Sequence, residues 1–387
     1  ADEDFTPKTG INVNMNVLPS GQANAGQVNA LMLSITSGKA PDVALGLSAD
    51  SPAEFAFRDA VLDLTRFPDF EEISKRFYPS ILTPLKYKKG VFALPETMDF
   101  LVMFYRTDIL GDIGAIIPDT WNELYERVLP KLYQNGMDFC YGGGFAPLLF
   151  QMGGDYYRDG GTKSALDSPE AYKAFKAWTD MYVSYGIPVE ANFYNRMRTG
   201  DAPIGIANYG HYVQLTTAAP ELFGRWDIAP IPGTVKEDGT IDRSNANLLA
   251  QTCVIMRQTE HPEEYWEFLK WWTGAELQTQ FGRELEALLG VEARWNSANI
   301  EAFSSIAWDR EHLKIIMDAQ AQAKELPIVL GGYFTGRHTN NAFNRVVVSA
   351  TAITRDSLEQ AVKDINKELK SKQEEYGYRP EETENSQ

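Results

Sequence analysis

Apolar and polar residues follow regular periods along much of this 387-residue chain. Residues 11–17 alternate apolar side chains with asparagine, which predicts a strand. Leu31, Met32 and Ile35 recur on one helical face, and residues 43–45 form a short apolar run. Strand, helix and strand at this spacing indicate a βαβ unit with a parallel sheet.

The same periods predict further elements downstream. The predicted strands cover residues 90–95, 100–105, 204–207 and 254–256. The predicted helices begin near Trp121 and Pro169 and also cover residues 262–281 and 358–369. Residues 234–247 have few apolar side chains and predict a surface loop. The alternation of strands with helices is typical of the α/β class.

Length and charge narrow the classes of protein. A chain of 387 residues exceeds the usual size of one hydrophobic core, so two compact units are expected. The net charge of −17, with no cluster of lysine and arginine, argues against a nucleic-acid partner and an acidic membrane surface. No apolar run is long enough to cross a bilayer, and residues 1–4 are not a signal peptide.

Cysteine and histidine offer no metal-binding pattern. Cys140 and Cys253 match no metal or redox spacing and are predicted to be buried free thiols. None of the four histidines pairs with another at helical metal spacing. His261 and His312 stand among charged residues and are predicted to be solvated, whereas His211 follows a predicted strand. A ligand-binding and a packing role are both open for His211.

The motifs of α/β enzymes are missing. Residues 46–50 lack the closing glycine of a hydrolase nucleophile elbow, and the phosphate-loop and dinucleotide motifs do not occur. Glu96 and Asp99 have the residue types of a glycoside-hydrolase carboxylate pair. Carboxylates also accept hydrogen bonds from sugar hydroxyls, so binding is favoured over catalysis.

Four separated segments resemble the extracellular solute-binding proteins of family 1, the carbohydrate-type group that is like maltose-binding protein. They occur in family order between residues 9 and 295. The segments are residues 9–43 with the sequence SGKAPDV at their end; residues 90–95, 104–108 and 118–124; residues 153–155, 167–171, 200–206 and 228–233; and residues 261–270 with the sequence HPEEYWEFLK.

The resemblance implies a two-lobed α/β fold of the type II periplasmic-binding-protein kind. Each lobe would have a mainly parallel sheet flanked by helices, with a ligand cleft between the lobes. Lobe 1 would comprise residues 1–104 and 254–298, lobe 2 residues 105–253 and 299–375, and residues 376–387 would form a polar tail. The family's first strand and helix have no counterpart here, so lobe 1 is expected to have an uncovered sheet edge or to borrow a strand.

Ligands of open parallel sheets bind beyond the carboxyl ends of the strands, and the loops after the predicted strands also match the family's ligand loops. Their acidic and amide side chains would bind hydroxyl groups, and Tyr209 or Trp295 would stack on a sugar ring. Trp266, Trp271 and Trp272 are predicted to be core residues instead. The expected ligand-binding residues are Ser20, Asp50, Glu96, Asp99, Asn208, Tyr209, His211, Asn245, Asn247 and Trp295.

The sequence therefore predicts a non-enzymatic solute-binding protein outside the cytoplasm, in the periplasm or at the cell surface, with a lipid anchor left open. As a monomer without cofactor or metal, it would deliver a mono- or oligosaccharide to the membrane subunits of an ABC importer by hinge closure. The few lysines and arginines in the expected loops disfavour a phosphorylated ligand. The alternatives are a sugar-processing enzyme and a ligand-sensing domain.

Overall fold

The computed structural model describes residues 1–18, 30–246 and 249–377. Ser20 and Asn247, two expected ligand residues, lie outside the described residues. The strands are β1 (Val43–Ser48), β2 (Lys86–Tyr87), β3 (Gly90–Val91), β4 (Leu94–Met98), β5 (Leu101–Arg106), β6 (Phe139–Tyr141), β7 (Tyr157–Arg158), β8 (Lys163–Ser164), β9 (Ile204–Asn208), β10 (Trp226–Ala229), β11 (Thr234–Val235), β12 (Ile241–Asp242), β13 (Asn245–Ala246), β14 (Leu249–Ile255) and β15 (Ala323–Lys324).

The α-helices are α1 (Phe5–Thr9), α2 (Ala30–Thr36), α3 (Ser51–Phe57), α4 (Phe70–Ser74), α5 (Thr107–Asp112), α6 (Trp121–Glu123), α7 (Leu129–Gln134), α8 (Ala146–Gln151), α9 (Pro169–Val183), α10 (Phe193–Thr199), α11 (Tyr209–Ala218), α12 (Pro262–Trp272), α13 (Ala275–Leu289), α14 (Ile300–Ser304), α15 (Arg310–Ala321), α16 (Thr335–Val347) and α17 (Thr354–Glu375). A π-helical segment, Leu124–Val128, joins α6 to α7. Short 3-10 helices cover Leu64–Arg66, Pro79–Leu85, Asp159–Gly161, Pro220–Leu222, Val291–Ala293 and Gly332–Phe334.

The chain divides into two compact units. Unit 1 comprises Ala1–Asp99, Leu248–Trp308 and Glu325–Ile328, and unit 2 comprises Phe100–Asn247, Asp309–Lys324 and Val329–Gln387. These ranges differ from the predicted lobes, because residues 248–253, 299–308 and 325–328 belong to unit 1 and residues 100–104 to unit 2. The lobe boundaries stay a prediction.

The main sheet of unit 1 has the order β1-β14-β4. Strand β14 pairs antiparallel with both neighbours, with Ser48 opposite Gln251 and Met98 opposite Leu249. Strands β1 and β4 therefore run in the same direction without pairing with each other, and their carboxyl ends lie at the same edge of the sheet. Among the described residues, β1 and β4 are the edge strands.

The main sheet of unit 2 has the order β10-β5-β9-β6. Only β9 and β6 pair in parallel, whereas β5 is antiparallel to both β10 and β9. The prediction of mainly parallel sheets is therefore wrong for both main sheets in the described part of the chain. Local periodicity predicts where strands lie but not which strands pair. The middle strands, β14 in unit 1 and β5 and β9 in unit 2, pair with strands from distant parts of the chain, and this long-range pairing sets the strand directions.

Helix α12 carries three tryptophans, Trp266, Trp271 and Trp272, which pack within unit 1. Trp266 is buried, stacks on Phe67 with ring centroids 4.7 Å apart, and donates its indole N–H to Asp69 at 2.6 Å. Trp271 and Trp272 are half-buried, so the core prediction is confirmed fully only for Trp266. The single helix predicted over residues 262–281 is two helices, which break at Gly274 in an extended conformation.

Helices α9, α16 and α17 pack together in unit 2. Helix α9 begins as predicted, with the Ser168 hydroxyl accepting from the Ala171 N–H at 3.1 Å. The Trp178 ring of α9 stacks on Phe343 of α16 with centroids 4.2 Å apart. The predicted amphipathic face of α17 is confirmed, because its apolar residues are all buried: Leu358, Val362, Ile365 and Leu369.

Several local predictions have clear outcomes. Cys140 and Cys253 are buried free thiols, as predicted. Residues 11–18 form no strand, although the alternation predicted one. Asparagine, which occupies every second position from residue 12 to residue 16, is a weak strand former. The loop predicted over 234–247 contains the antiparallel pair β11 and β12, because Thr234, Val235 and Ile241 supply β-branched side chains around a turn at Gly239.

Two glycines of one segment give a matched stability test. Gly331 has φ +82°, and a Cβ there would lie 2.6 Å from the Glu368 carbonyl oxygen. Gly336, near the start of α16, has no neighbouring atom within 4 Å of a Cβ. We expect Gly331→Ala to lower the free energy of unfolding by about 2 kcal/mol or more, and Gly336→Ala to raise it by up to about 1 kcal/mol. Urea unfolding measures both; equal effects would contradict this account.

Candidate ligand-binding site

At the unit 1 sheet edge, Asp50 follows β1 and precedes the first residue of α3. The Ser48 hydroxyl donates to the Asp50 carboxylate at 2.5 Å and lies 2.8 Å from the Ser51 hydroxyl. Asp50 is half-buried, and its side chain makes no capping hydrogen bond to α3. Ser48 therefore holds a partly accessible carboxylate at the end of β1.

Glu96 has a different environment, although the sequence placed it in the same kind of loop. It lies inside β4, is only 2% exposed, and its Oε2 accepts from the Gly46 N–H at 2.6 Å. Its Oε1 accepts from the Trp272 indole N–H at 2.5 Å. Burial raises the pKa of Glu96 to about 7, although both hydrogen bonds oppose that shift. Both carboxylate oxygens are thus engaged within unit 1, so a ligand role for Glu96 stays a prediction.

Asp99 and Trp295 are the chain neighbours of Met98 and Asn296, two residues of unit 1 whose backbones are hydrogen-bonded to each other. Asp99 is half-buried and directly follows β4, where the Met98 N–H donates to the Asn296 carbonyl at 3.0 Å. The Asn296 side-chain oxygen is buried without a hydrogen-bond partner. Trp295 donates its indole N–H to Gln278 at 2.6 Å, and its ring packs edge-on against another aromatic ring. Asn296 was missed because nothing in its sequence context distinguishes it.

At the unit 2 sheet edge, Asn208 is the last residue of β9, and Tyr209 begins α11. Asn208 is exposed, and Tyr209 is half-buried with its ring edge-on to Phe100 at 5.6 Å. Leu101 pairs opposite Asn208, and Tyr141 at the end of β6 pairs with Ile206. The carboxyl ends of β6 and β9 therefore meet at this edge.

Two other expected ligand residues of unit 2 are buried in its interior. His211 is 6% exposed, its ring stacks parallel on Phe193 at 4.3 Å, and its Nε2 lies 3.4 Å from the Met197 sulfur. Burial lowers the pKa of His211 to about 4. Asn245 is 2% exposed and donates to the Ala319 carbonyl at 3.0 Å. This environment favours the packing alternative for His211 and gives Asn245 a structural contact.

His312 contradicts the prediction of a solvated histidine. Its side chain is 15% exposed and lies within a group of aromatic residues in unit 2. Nε2 lies 2.9 Å from an Asp227 carboxylate oxygen, and Nδ1 lies 2.9 Å from the Tyr212 hydroxyl. The charged residues next to His312 in the sequence predicted a solvent-exposed side chain. Its hydrogen-bond partners come instead from β10 and α11, which are distant in the sequence.

The structure therefore groups part of the expected site. Asp50 and Asp99 lie at the unit 1 edge, and Asn208 and Tyr209 lie at the unit 2 edge. Within the described ranges, histidine, cysteine and acidic side chains form no group of three or more that could hold a metal ion. The helices described here include none with the length and apolarity needed to span a bilayer.

Residues 1–279 match the family model of the bacterial extracellular solute-binding proteins. This match covers more than half of the chain, so the chain belongs to that family. Family membership, the two α/β units and the polar sheet edges agree with one another. The resemblance inferred from the sequence motifs is thereby confirmed.

A curated relative and two solved structures extend the comparison. A maltotriose-binding protein of Pyrococcus abyssi is 26% identical over 255 residues, 63% of this chain and 53% of the relative, so the match spans about half the relative's length. The sugar-binding protein MalE of Xanthomonas citri superimposes with a TM-score of 0.77 at 17% identity, covering 97% of this chain and 95% of MalE. The GacH receptor of Streptomyces glaucescens gives 0.70 at 19% identity, covering 95% and 93%. Both structures confirm the two-lobed α/β fold.

Burial of Glu96 predicts a pH-dependent stability. The folded state holds the Glu96 proton more tightly than the unfolded chain, because its pKa rises from 4.5 to about 7. Stability is therefore lost as the pH rises from about 5 to 8, by about 2 to 3 kcal/mol. The glutamine in Glu96→Gln cannot ionise. The free energy of unfolding of this variant should therefore rise relative to that of the wild type as the pH increases from about 5 to 8. Urea unfolding at several pH values measures the difference, and a constant difference would disprove the burial argument.

His211 predicts the opposite dependence at acid pH. Its pKa is about 4 in the folded state and 6.5 ordinarily, so protons bind the unfolded chain preferentially as the pH falls below about 6.5. From pH 7 to 5 this lowers the free energy of unfolding by about 2 kcal/mol. His211→Phe keeps a packed ring and should remove that loss in urea titrations, with ligand affinity unchanged. Weakened ligand binding at pH 7 would indicate a direct ligand contact instead.

Proposed function

We propose that this chain binds a neutral mono- or oligosaccharide outside the cytoplasm and, as a monomer, delivers it to the membrane subunits of an ABC importer. The observation that carries the proposal is the family match over residues 1–279, together with the polar strand ends of each unit. Carboxylates accept hydrogen bonds from sugar hydroxyls, and amides both donate and accept.

The choice of a sugar rests on the relatives and on local charge. One relative is named for binding maltotriose, MalE of Xanthomonas citri is described as sugar-binding, and GacH has been solved with acarbose. The four edge residues Asp50, Asp99, Asn208 and Tyr209 include no cation. A phosphorylated or other anionic ligand would face carboxylates without a compensating positive charge, so a neutral polyol suits these edges better.

The environment of Glu96 supports binding without catalysis. A retaining or inverting glycosidase needs two carboxyl groups that reach the scissile bond. Glu96 is buried and already accepts from Gly46 and Trp272, so a pair with Asp99 would lack one member. We therefore propose that the ligand is released unchanged.

A ligand screen followed by calorimetry tests the proposal. Thermal shift over glucose, maltose, maltotriose, spermidine and glycerol 3-phosphate should show stabilisation by at least one neutral sugar, because a ligand of the folded state raises stability. In titration calorimetry, we expect Asp50→Ala and Asn208→Ala each to weaken binding of that sugar about tenfold, since each removes a hydrogen-bonding group.

Asp238→Ala is the matched control for these variants. Asp238 is exposed, and its carboxylate accepts from the N–H and the hydroxyl of neighbouring Thr240 in the turn between β11 and β12. Its replacement should leave affinity unchanged. Stabilisation by spermidine or glycerol phosphate alone would overturn the sugar assignment. Release of shorter sugars from maltotriose, abolished by Glu96→Gln, would overturn the non-catalytic assignment.

A further inference from the structure

Unit 2 has a cavity of about 350 Å³ that none of the expected ligand residues lines. This volume lies within the usual range of small-molecule sites, roughly 300 to 1,000 Å³. Its walls are formed by the end of β6 with the segment after it, by the second half of α9 with Val189 beyond that helix, and by α16. The side chains that matter for its chemistry are Tyr141, Trp178, Tyr182, Asn340, Phe343 and Asn344.

The aromatic part of this α9–α16 cavity is rigidly packed. The Trp178 and Phe343 rings stack with centroids 4.2 Å apart, and Tyr182 meets Phe343 edge-on at 5.1 Å. The Tyr141 hydroxyl donates to the Gly144 carbonyl at 2.7 Å, which fixes that ring within unit 2. An apolar wall of fixed rings suits the C–H face of a sugar ring.

The polar part consists of two amides one helical turn apart. Asn340 and Asn344 lie four residues apart on α16, so both side chains project from the same face of the helix. Both residues are exposed, and neither amide side chain is hydrogen-bonded to any residue that the structure describes. Two available amides offer four N–H donors and two carbonyl acceptors to a ligand.

The cavity begins at the sheet edge that carries Asn208. Strand β6 ends at Tyr141, and the Gly142 N–H donates to the Ile206 carbonyl of β9 at 2.9 Å. Glycine is required there, because a Cβ at Gly142 would lie 2.7 Å from that carbonyl oxygen. One residue that lines the cavity, Gly142, is thus bonded to β9 two positions before Asn208.

We propose that the α9–α16 cavity binds one sugar ring of an oligosaccharide, with the Asn340 and Asn344 amides on its hydroxyl groups. This inference rests on the proposed function and adds a second contact region to the unit 2 edge. The lining residues include no charged side chain and so supply no ion pair, and their amides match a neutral, hydroxyl-rich ring. An oligosaccharide that contacts Asn208 would gain affinity when one more ring reaches the cavity.

The test combines Asn340→Ala and Asn344→Ala in one double variant, with Asn341→Ala as the control. Asn341 is exposed on the same helix but does not line the cavity. Alanine has the higher helix propensity, so all three changes should preserve α16, which thermal unfolding checks. Calorimetry with maltose, maltotriose and maltotetraose should show the double variant losing at least tenfold in affinity for the longest sugar that the wild type binds. The control should stay within twofold of the wild type.

The results separate the two proposals. If the wild-type chain binds none of the sugars, including glucose, the proposed function fails. If the wild type binds an oligosaccharide and the double variant matches Asn341→Ala, the proposed function stands and the cavity proposal is overturned. A selective loss in the double variant supports both.

Discussion

Strand β14 is the element on which the unit 1 site depends. It comes from residues 249–255, yet it lies between β1 and β4, which end at residues 48 and 98. The Thr252 hydroxyl donates to the Leu47 carbonyl across 205 positions of sequence. Because β14 is antiparallel to both neighbours, it fixes their common direction and brings Asp50 and Asp99 to one edge. Without β14 the two carboxylates would have no shared support.

A buried carboxylate accompanies this arrangement. Glu96 points into unit 1, where the N–H of Gly46 and the indole of Trp272 compensate part of its desolvation. Gly46 has φ +69° and lies where the pairing of β1 with β14 is irregular. The irregularity turns one backbone N–H toward Glu96, so the distortion in β1 has a polar partner in β4. Removing the Trp272 indole would leave the buried Glu96 Oε1 without its hydrogen bond.

Element boundaries decided which site residues could be predicted from the sequence. Asp50 and Asn208 stand at or just after true strand ends, as the sequence predicted, and their role in ligand binding stays a prediction. Glu96 was assigned to a loop because Pro95 was taken as the strand end, but β4 continues to Met98. His211 was also assigned to a loop, whereas α11 begins at Tyr209 and turns that imidazole into the interior. A shift of a few residues exchanges an exposed side chain for a buried one.

Periodicity located several helices and strands because burial itself is periodic, as α17 shows. Periodicity contained no information about which strands pair. The direction of each strand is set by its pairing with strands from distant parts of the chain. The residues expected to bind a ligand likewise divide between the units. Unit 1 offers carboxylates, which only accept hydrogen bonds, whereas unit 2 offers amides, which also donate. A sugar hydroxyl donates and accepts at once, so on the proposed function the carboxylates would accept from hydroxyl groups and the amides could also donate to them.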